Sequence, residues 1–150
     1  MEATLKRRSH AQQFASKIAT LRLALCPLYP LPAGAPHPCF PSTILNFWLL
    51  SESQLDSLAA YYSQVTRDEY TDQYPKPMDW DADFMAEAPM TDAQRVQVKR
   101  RKFGKFIGLR GCDTPLSEVE MRLETTQARL RRIVAEEEAK EKTMPMRRWW

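Results

Sequence analysis

The residue types that most often do chemistry are few in this chain and lie far apart in its sequence. A cysteine nucleophile needs a general base beside it. The candidate nucleophile is Cys112, whereas the two histidines are His10 and His37. Acidic pairs such as Asp68 and Glu69 exist, but nothing in the sequence brings any pair of carboxylates to the defined spacing that hydrolysis needs. We therefore expect neither an enzyme nor a small-molecule substrate.

Two groups of potential metal ligands lack the spacing that a metal site needs. The run 79–83 has aspartate at alternate positions, as at the start of a calcium-binding loop. That loop also requires Gly at its sixth position and Glu at its twelfth, which here are Phe84 and Met90. The segment 26–39 contains two cysteines and a histidine, without the paired cysteines typical of structural zinc. We expect no metal and no cofactor.

The charges are segregated along the chain, although the net charge is only +3. Residues 52–92 contain ten acids and two bases, and residues 93–112 contain seven bases and no acid. On a helix, five of these bases would share a face about 160° wide, and they are the candidate binding residues: Arg95, Lys99, Arg101, Lys102 and Lys105.

Three interpretations of this basic face stay open. It could bind phosphate groups of RNA or DNA, and residues 99–102 could instead serve as a nuclear import signal or a partner-binding segment. In the third interpretation the acidic block folds back and neutralises the basic block internally. The observation that best separates these interpretations is whether Asp79, Asp81 and Asp83 lie against the basic helix.

Capping signals predict two of the helices that would carry these residues. A capping box at Ser51 begins a helical repeat of apolar residues and predicts a helix over 52–65. A second box at Thr91 predicts a helix over 92–107, which Gly108 would end.

A third and longer helix is predicted near the C-terminal end of the sequence. Thr114 is a suitable N-cap, Pro115 suits the first helical position, and the helix can continue to about residue 142. Its apolar residues follow a heptad pattern typical of helix–helix contacts. We call them the seam: Leu116, Val119, Leu123, Thr126, Leu130 and Ile133.

The remaining segments have weaker signals. Residues 1–41 are basic and proline-rich, and we expect them to be a largely disordered arm, with a mitochondrial presequence as an alternative. The apolar run 44–50 fits either a strand or a buried helix. Residues 66–90 predict a long acidic loop with a short turn near 81–85, which is either anchored by its aromatic side chains or partly mobile. The helical domain would span 42–143, followed by a tail over 144–150.

Cysteine usage and hydropathy restrict the compartment and the partners. Three cysteines cannot form a disulfide framework, which favours reduced thiols inside the cell, in the nucleus or the cytoplasm. A mitochondrial location stays open because of the basic N-terminal segment. No apolar run approaches the length of a membrane-spanning helix, so we expect no membrane partner.

Two blocks of the chain, Phe40–Leu58 and Arg100–Pro115, carry a pattern that includes Gly104, Gly108, Arg110, Gly111 and Cys112. In these blocks the chain resembles small uncharacterised proteins of filamentous fungi. The most specific part of the resemblance is Lys-Phe-Ile-Gly-Leu-Arg-Gly-Cys at 105–112, and the resemblance extends over about 40–135. It implies no activity, and the first 40 residues lie outside it.

Together these signals predict an all-α fold. We expect a small bundle of about three helices with a long C-terminal helix, a proline-rich N-terminal arm and a long acidic loop. The function we expect is a non-enzymatic protein-interaction module that binds a partner or itself through the seam and its charged surfaces. The alternative is RNA or DNA binding through the basic helix 92–107.

Overall fold

The computed structural model describes residues 2–143, with side chains from residue 7 onwards, and this part of the chain is helical. The prediction of an all-α fold with a long C-terminal helix is confirmed. Among the described residues no strand forms, apart from an isolated antiparallel bridge between Ala24 and Thr43. The helices are α1 (Glu2–Leu21), α2 (Ile44–Trp48), α3 (Glu52–Tyr61), α4 (Ala82–Glu87), α5 (Asp92–Phe106) and α6 (Leu116–Thr143).

The three helices predicted from capping signals are α3, α5 and α6. Ser51 and Gln54 form the predicted capping box of α3, with each side chain bonded to the other's backbone N–H. This helix ends at Tyr61, earlier than expected, and Ser63 adopts a φ of +57° just beyond it. At the end of α5, Gly108 has a φ of +84°, and the N–H of Leu109 donates to the Gly104 carbonyl at 2.8 Å. That geometry is the glycine-dependent helix ending expected from the sequence.

Three further helices lie in segments for which the sequence either predicted no helix or was compatible with both a strand and a helix. The apolar run 44–50 forms α2, and α4 occupies the site of the short turn expected near 81–85. The N-terminal segment contains α1, whose described side chains are exposed except for Ile18 and Leu21, which are half-buried.

The described residues form two compact units, one within Met1–Trp80 and Asp92–Asp113 and the other within Asp81–Thr91 and Thr114–Trp150. The domain boundary predicted near residue 41 stays a prediction, and the predicted tail over 144–150 lies outside the described residues.

The first unit has an apolar core between α2, α3 and α5. Apolar side chains at helical spacing meet there because each helix has one apolar stripe. The largest fully buried side chains are Phe47, Leu55, Leu58, Tyr62, Met78 and Phe103. The helices approach closely at Gly104, where an added Cβ would lie 2.5 Å from the Cys112 sulfur and 2.8 Å from the Phe47 ring.

The proline-rich segment 26–41 packs against this core. Leu28, Leu31 and Phe40 pack against the buried cluster. Because prolines remove backbone donors, the segment has few partners of its own, and core tyrosines bond to its backbone instead. The Tyr62 hydroxyl donates to the Leu28 carbonyl at 2.6 Å, and the N–H of Leu31 donates to the Tyr74 hydroxyl at 2.9 Å.

In the second unit α4 packs along α6. Asp81 caps α4 by accepting a bond from the N–H of Phe84 at 3.0 Å, and Phe84 itself is buried. The Arg122 guanidinium of α6 lies 4.8 Å from the centre of the Phe84 ring. Further along, Arg129 forms an ion pair with Glu87 at 3.0 Å. These contacts define the side of α6 that α4 covers.

Candidate functional site

The basic helix α5 faces acidic side chains from α3. Arg95 Nε donates to Glu52 Oε1 at 2.6 Å, and its Nη2 contacts Glu52 Oε2 at 3.3 Å and Asp92 at 2.8 Å. Two contacts between one guanidinium and one carboxylate fix the geometry as well as the charge. Arg95 is therefore paired within the chain on the side where a phosphate would have to bind.

Lys99 is paired more deeply than Arg95. Its side chain is 9% exposed, and its Nζ lies 2.8 Å from Glu52 and 2.6 Å from Asp56. The same Nζ is 5.7 Å from the centre of the Trp80 ring. A buried ammonium group is tolerated only when it is paired, so α3 supplies the carboxylates that allow Lys99 to be buried.

Glu52 is the acid that these two bases share. The hydrogen bonds from Arg95 and then Lys99 lower the pKa of its carboxyl group from 4.5 to about 2, against the opposing effect of burial. The ionised form is favoured because both neighbours donate to it. Glu52 therefore stays charged down to strongly acidic pH in the folded protein.

The other three candidate binding residues differ in exposure. Lys102 is buried, and its Nζ donates to the backbone carbonyl of Asp79 at 2.8 Å. Arg101 is half-buried, and Lys105 is exposed. The five residues share one helix, as expected, but they do not share one open face.

The acidic run 79–83 has a structural role in each unit. In the first unit the Asp79 carbonyl accepts the bond from Lys102. In the second unit Asp81 caps α4 and lies 3.8 Å from the Arg122 guanidinium. Among the described residues no group of three or more His, Cys, Asp or Glu side chains is arranged to hold a metal ion.

The cysteine and histidine candidates of the proline-rich segment have local partners. The N–H of Cys39 donates to His37 Nδ1 at 3.0 Å, and His37 Nε2 lies 2.9 Å from the Ser57 hydroxyl. The histidine ring thus joins its own segment to α3.

The seam of α6 is exposed over its whole length. Its large apolar side chains are between 47% and 72% exposed, and Val134 beside them is 55% exposed. They are Leu116, Val119, Leu123, Leu130 and Ile133. The apolar repeat predicted from the sequence therefore lies on α6 as an exposed stripe.

A pocket in the first unit was not predicted from the sequence. It has a volume of about 260 Å³ and is lined by Phe47, Trp48, Gln97, Arg100, Arg101 and Cys112. These residues come from α2, α5 and the turn after α5. Arg101 was a candidate binding residue and Cys112 a candidate nucleophile, but no sequence pattern indicated the pocket, because the pocket depends on how α2 docks on α5.

In comparisons with protein-family models, curated proteins and solved structures, no match to this chain is found. The resemblance to small fungal proteins stays a prediction. In the described part of the chain, no helix combines the length and the apolar character needed to cross a bilayer. Function has to be inferred from the residues and their geometry.

Proposed function

We propose that this protein is a non-enzymatic protein-interaction module whose binding surface is the seam of α6. The observation that carries the proposal is the 47–72% exposure of the large apolar side chains along the seam. A contiguous exposed apolar stripe on a helix is a typical mark of an interaction site. Burying these side chains against a partner would gain about 25 cal/mol for each Å² removed from water.

The seam is separate from the side of α6 that packs on α4. Glu118 and Thr125 are the buried residues of α6, and Arg129 pairs with Glu87 of α4. At 100° per residue, the seam is centred about 110° around the helix from this covered side. A partner could therefore bind the seam without displacing α4.

The length and pattern of the seam fit an amphipathic helix as the partner. From Leu116 to Ile133 the helix rises about 26 Å, and its apolar residues alternate at three and four positions, the spacing of two packed helices. The next seam position is Glu137, which would end the apolar contact. The partner helix would belong to a second copy of the chain or to another protein.

The test compares a seam variant with a surface variant of the same helix. Leu123→Gln with Leu130→Gln removes apolar groups from the seam, and Glu124→Gln with Arg131→Gln is the control, because both control side chains are exposed and their charges cancel. Sedimentation velocity over about 1–100 μM would detect self-association. A photo-crosslinker at Thr126, used in an extract of the source cells, would trap another partner.

Association or crosslinking that the seam variant loses and the control keeps supports the proposal. A chain that stays monomeric and forms no specific crosslink contradicts it. Equal behaviour of the two variants also contradicts it, because binding would then use another surface.

The alternative of nucleic-acid binding through α5 has less support. Lys99 and Lys102 are buried, and Arg95 is bound to Glu52. A phosphate backbone would have to compete with carboxylates that are already in place. Binding through α5 predicts a steep loss of affinity with salt, which a filter-binding titration with labelled RNA would measure.

A further inference from the structure

The pocket between α2 and α5 contains an arginine whose charge no carboxylate balances in the described part of the chain. Arg100 has one acceptor there, the Leu50 carbonyl, which lies 3.1 Å from its Nη2. Its Nε is buried without an acceptor from the described residues. On the same helix Arg95 and Lys99 both have carboxylate partners. Arg100 thus differs from Arg95 and Lys99 in having no carboxylate partner among residues 2–143.

Arg100 is half-buried with its Nε enclosed, and this partial burial of its charge costs free energy. Burial lowers the pKa of Arg100, because a low-dielectric surrounding disfavours the charged form. Arginine nevertheless stays charged in proteins, so the cost is not removed by losing a proton. A buried charge of this kind is stabilised when an anion pairs with it. The pocket beside Arg100 provides space for that anion.

The walls of the pocket restrict which anion fits. The Trp48 ring is 50% exposed, and its centre lies 5.9 Å from the Arg100 guanidinium carbon. Phe47 meets Trp48 edge to face at a centroid distance of 5.3 Å. Cys112, which also lines the pocket, is buried, and burial raises the pKa of its thiol, so that it presents a neutral surface. No acid is among the described lining residues.

From this geometry we propose that the pocket binds a small organic carboxylate with one flat apolar ring. The carboxylate pairs with Arg100, whose planar guanidinium matches it in shape, and the ring stacks on Trp48. The volume of about 260 Å³ is below the range of drug-sized ligand sites and suits a single ring with its acid group. Free phosphate fits less well, because the walls are mostly apolar. This site is independent of the seam of α6.

Calorimetric titration of the full chain with benzoate tests the proposal. We expect saturable binding with a dissociation constant of about 1 mM or tighter, given the small number of ligand atoms. Benzamide has the ring without the charge, and acetate has the charge without the ring. Each should bind at least about tenfold more weakly, and inorganic phosphate likewise, because each lacks one of the two contacts.

Single substitutions test whether Arg100 and Trp48 are the residues that contact benzoate. Arg100→Gln should weaken benzoate binding by about tenfold or more, and Trp48→Leu by a smaller factor. Lys76→Gln is the control, since it removes an exposed positive charge of the same unit that is not among the pocket residues, and it should leave binding unchanged. Circular dichroism checks that each variant is folded. If Arg100→Gln does not fold, Arg100→Lys keeps the charge, loses the planar shape and should still bind benzoate more weakly.

Three results would overturn the proposal. The first is that benzoate does not bind, and the second is that benzamide, acetate or phosphate binds as tightly as benzoate. The third is that folded Arg100 variants bind benzoate as the native chain does, in which case the anion is held elsewhere.

Discussion

Glu52 is the single residue on which the pairing of the acidic and basic blocks depends most. It accepts hydrogen bonds from both Arg95 and Lys99. We expect Glu52→Gln to lower the free energy of unfolding at neutral pH by about 1–2 kcal/mol, since bonds to charged groups are lost but the site is partly solvated. Urea unfolding followed by circular dichroism measures the change. Asp72→Asn is the control, because Asp72 and its partner Arg67 are both mostly exposed, and it should change stability little.

The same carboxyl group predicts a dependence on pH. Its pKa is about 2 in the folded protein against 4.5 without the fold. Because the folded-state value is the lower one, its contribution is complete above about pH 4.5 and is lost as the pH falls towards 2. Unfolding midpoints measured at several pH values should therefore fall less steeply over this range in Glu52→Gln than in the native chain. Parallel curves would show that Glu52 does not carry this pH dependence.

Cys112 should react slowly with thiol reagents, in contrast to Cys26. Burial raises the pKa of the Cys112 thiol, Asp113 raises it further, and Arg101 acts in the opposite direction. Cys26 is exposed. Since the thiolate is the reactive form, we expect N-ethylmaleimide to modify Cys26 at least about tenfold faster in the folded protein. Peptide mass spectrometry after timed labelling measures both rates, and in urea the rates should converge. Equal rates in the folded protein would contradict the burial of Cys112.

The contacts of single residues were only partly predictable from the sequence. The charge blocks indicated contact between acidic and basic residues as one of three interpretations. The specific pair of Glu52 and Arg95 was not predictable, because the two residues are 43 positions apart and meet only when α3 docks on α5. The pocket at Arg100 was missed for the same reason, since Trp48 and Cys112 are far from each other along the chain.

At the scale of elements, Gly104 sets the distance between α5 and its neighbours. An added Cβ would lie 2.5 Å from the Cys112 sulfur and 2.8 Å from the Phe47 ring. Gly104→Ala should improve helix propensity by about 1 kcal/mol, but overpacking costs about 1–3 kcal/mol, so we expect a net loss of stability. Urea unfolding measures it.

A second substitution tests whether this contact is the cause. Cys112→Ala removes the sulfur that the new methyl group would meet, so in that background Gly104→Ala should cost at least about 0.5 kcal/mol less than in the native chain. A Gly104→Ala protein that is more stable than the native chain would show that the helices can separate without cost.

The elements themselves were predictable where the sequence contained a local signal for their ends. The capping box at Ser51 determines where α3 begins, and the glycine at position 108 determines where α5 ends. Both act through bonds within a few residues. By contrast, α2 and α4 are 5 and 6 residues long. Such short helices are marginal alone and form through packing. Their presence therefore depends on Phe47 and Phe84 being buried; the sequence indicated apolar and aromatic anchors in these segments, but no local pattern indicated that the backbone there is helical.

At the scale of the whole molecule, the N-terminal 41 residues contain two segments with different relations to the core. Residues 7–17 are exposed, so α1 buries little surface there. The proline-rich segment 26–41 packs against the core and satisfies the hydroxyls of Tyr62 and Tyr74. A truncation series should separate the two segments, and it tests the domain boundary predicted near residue 41.

Deletion of residues 1–20 should shift the thermal midpoint by no more than about 2 °C, because few buried contacts are lost. Deletion of residues 1–41 should lower it by about 10 °C or more, or prevent folding. That deletion exposes core surface beneath the partly buried side chains of Leu28, Leu31 and Phe40, each of which contributes a fraction of the roughly 1.5–3 kcal/mol of a fully buried side chain. Differential scanning calorimetry of the two truncated proteins measures both shifts. If the longer deletion leaves the midpoint unchanged, the boundary near residue 41 is correct, and the tyrosine contacts contribute no net stability because water replaces them.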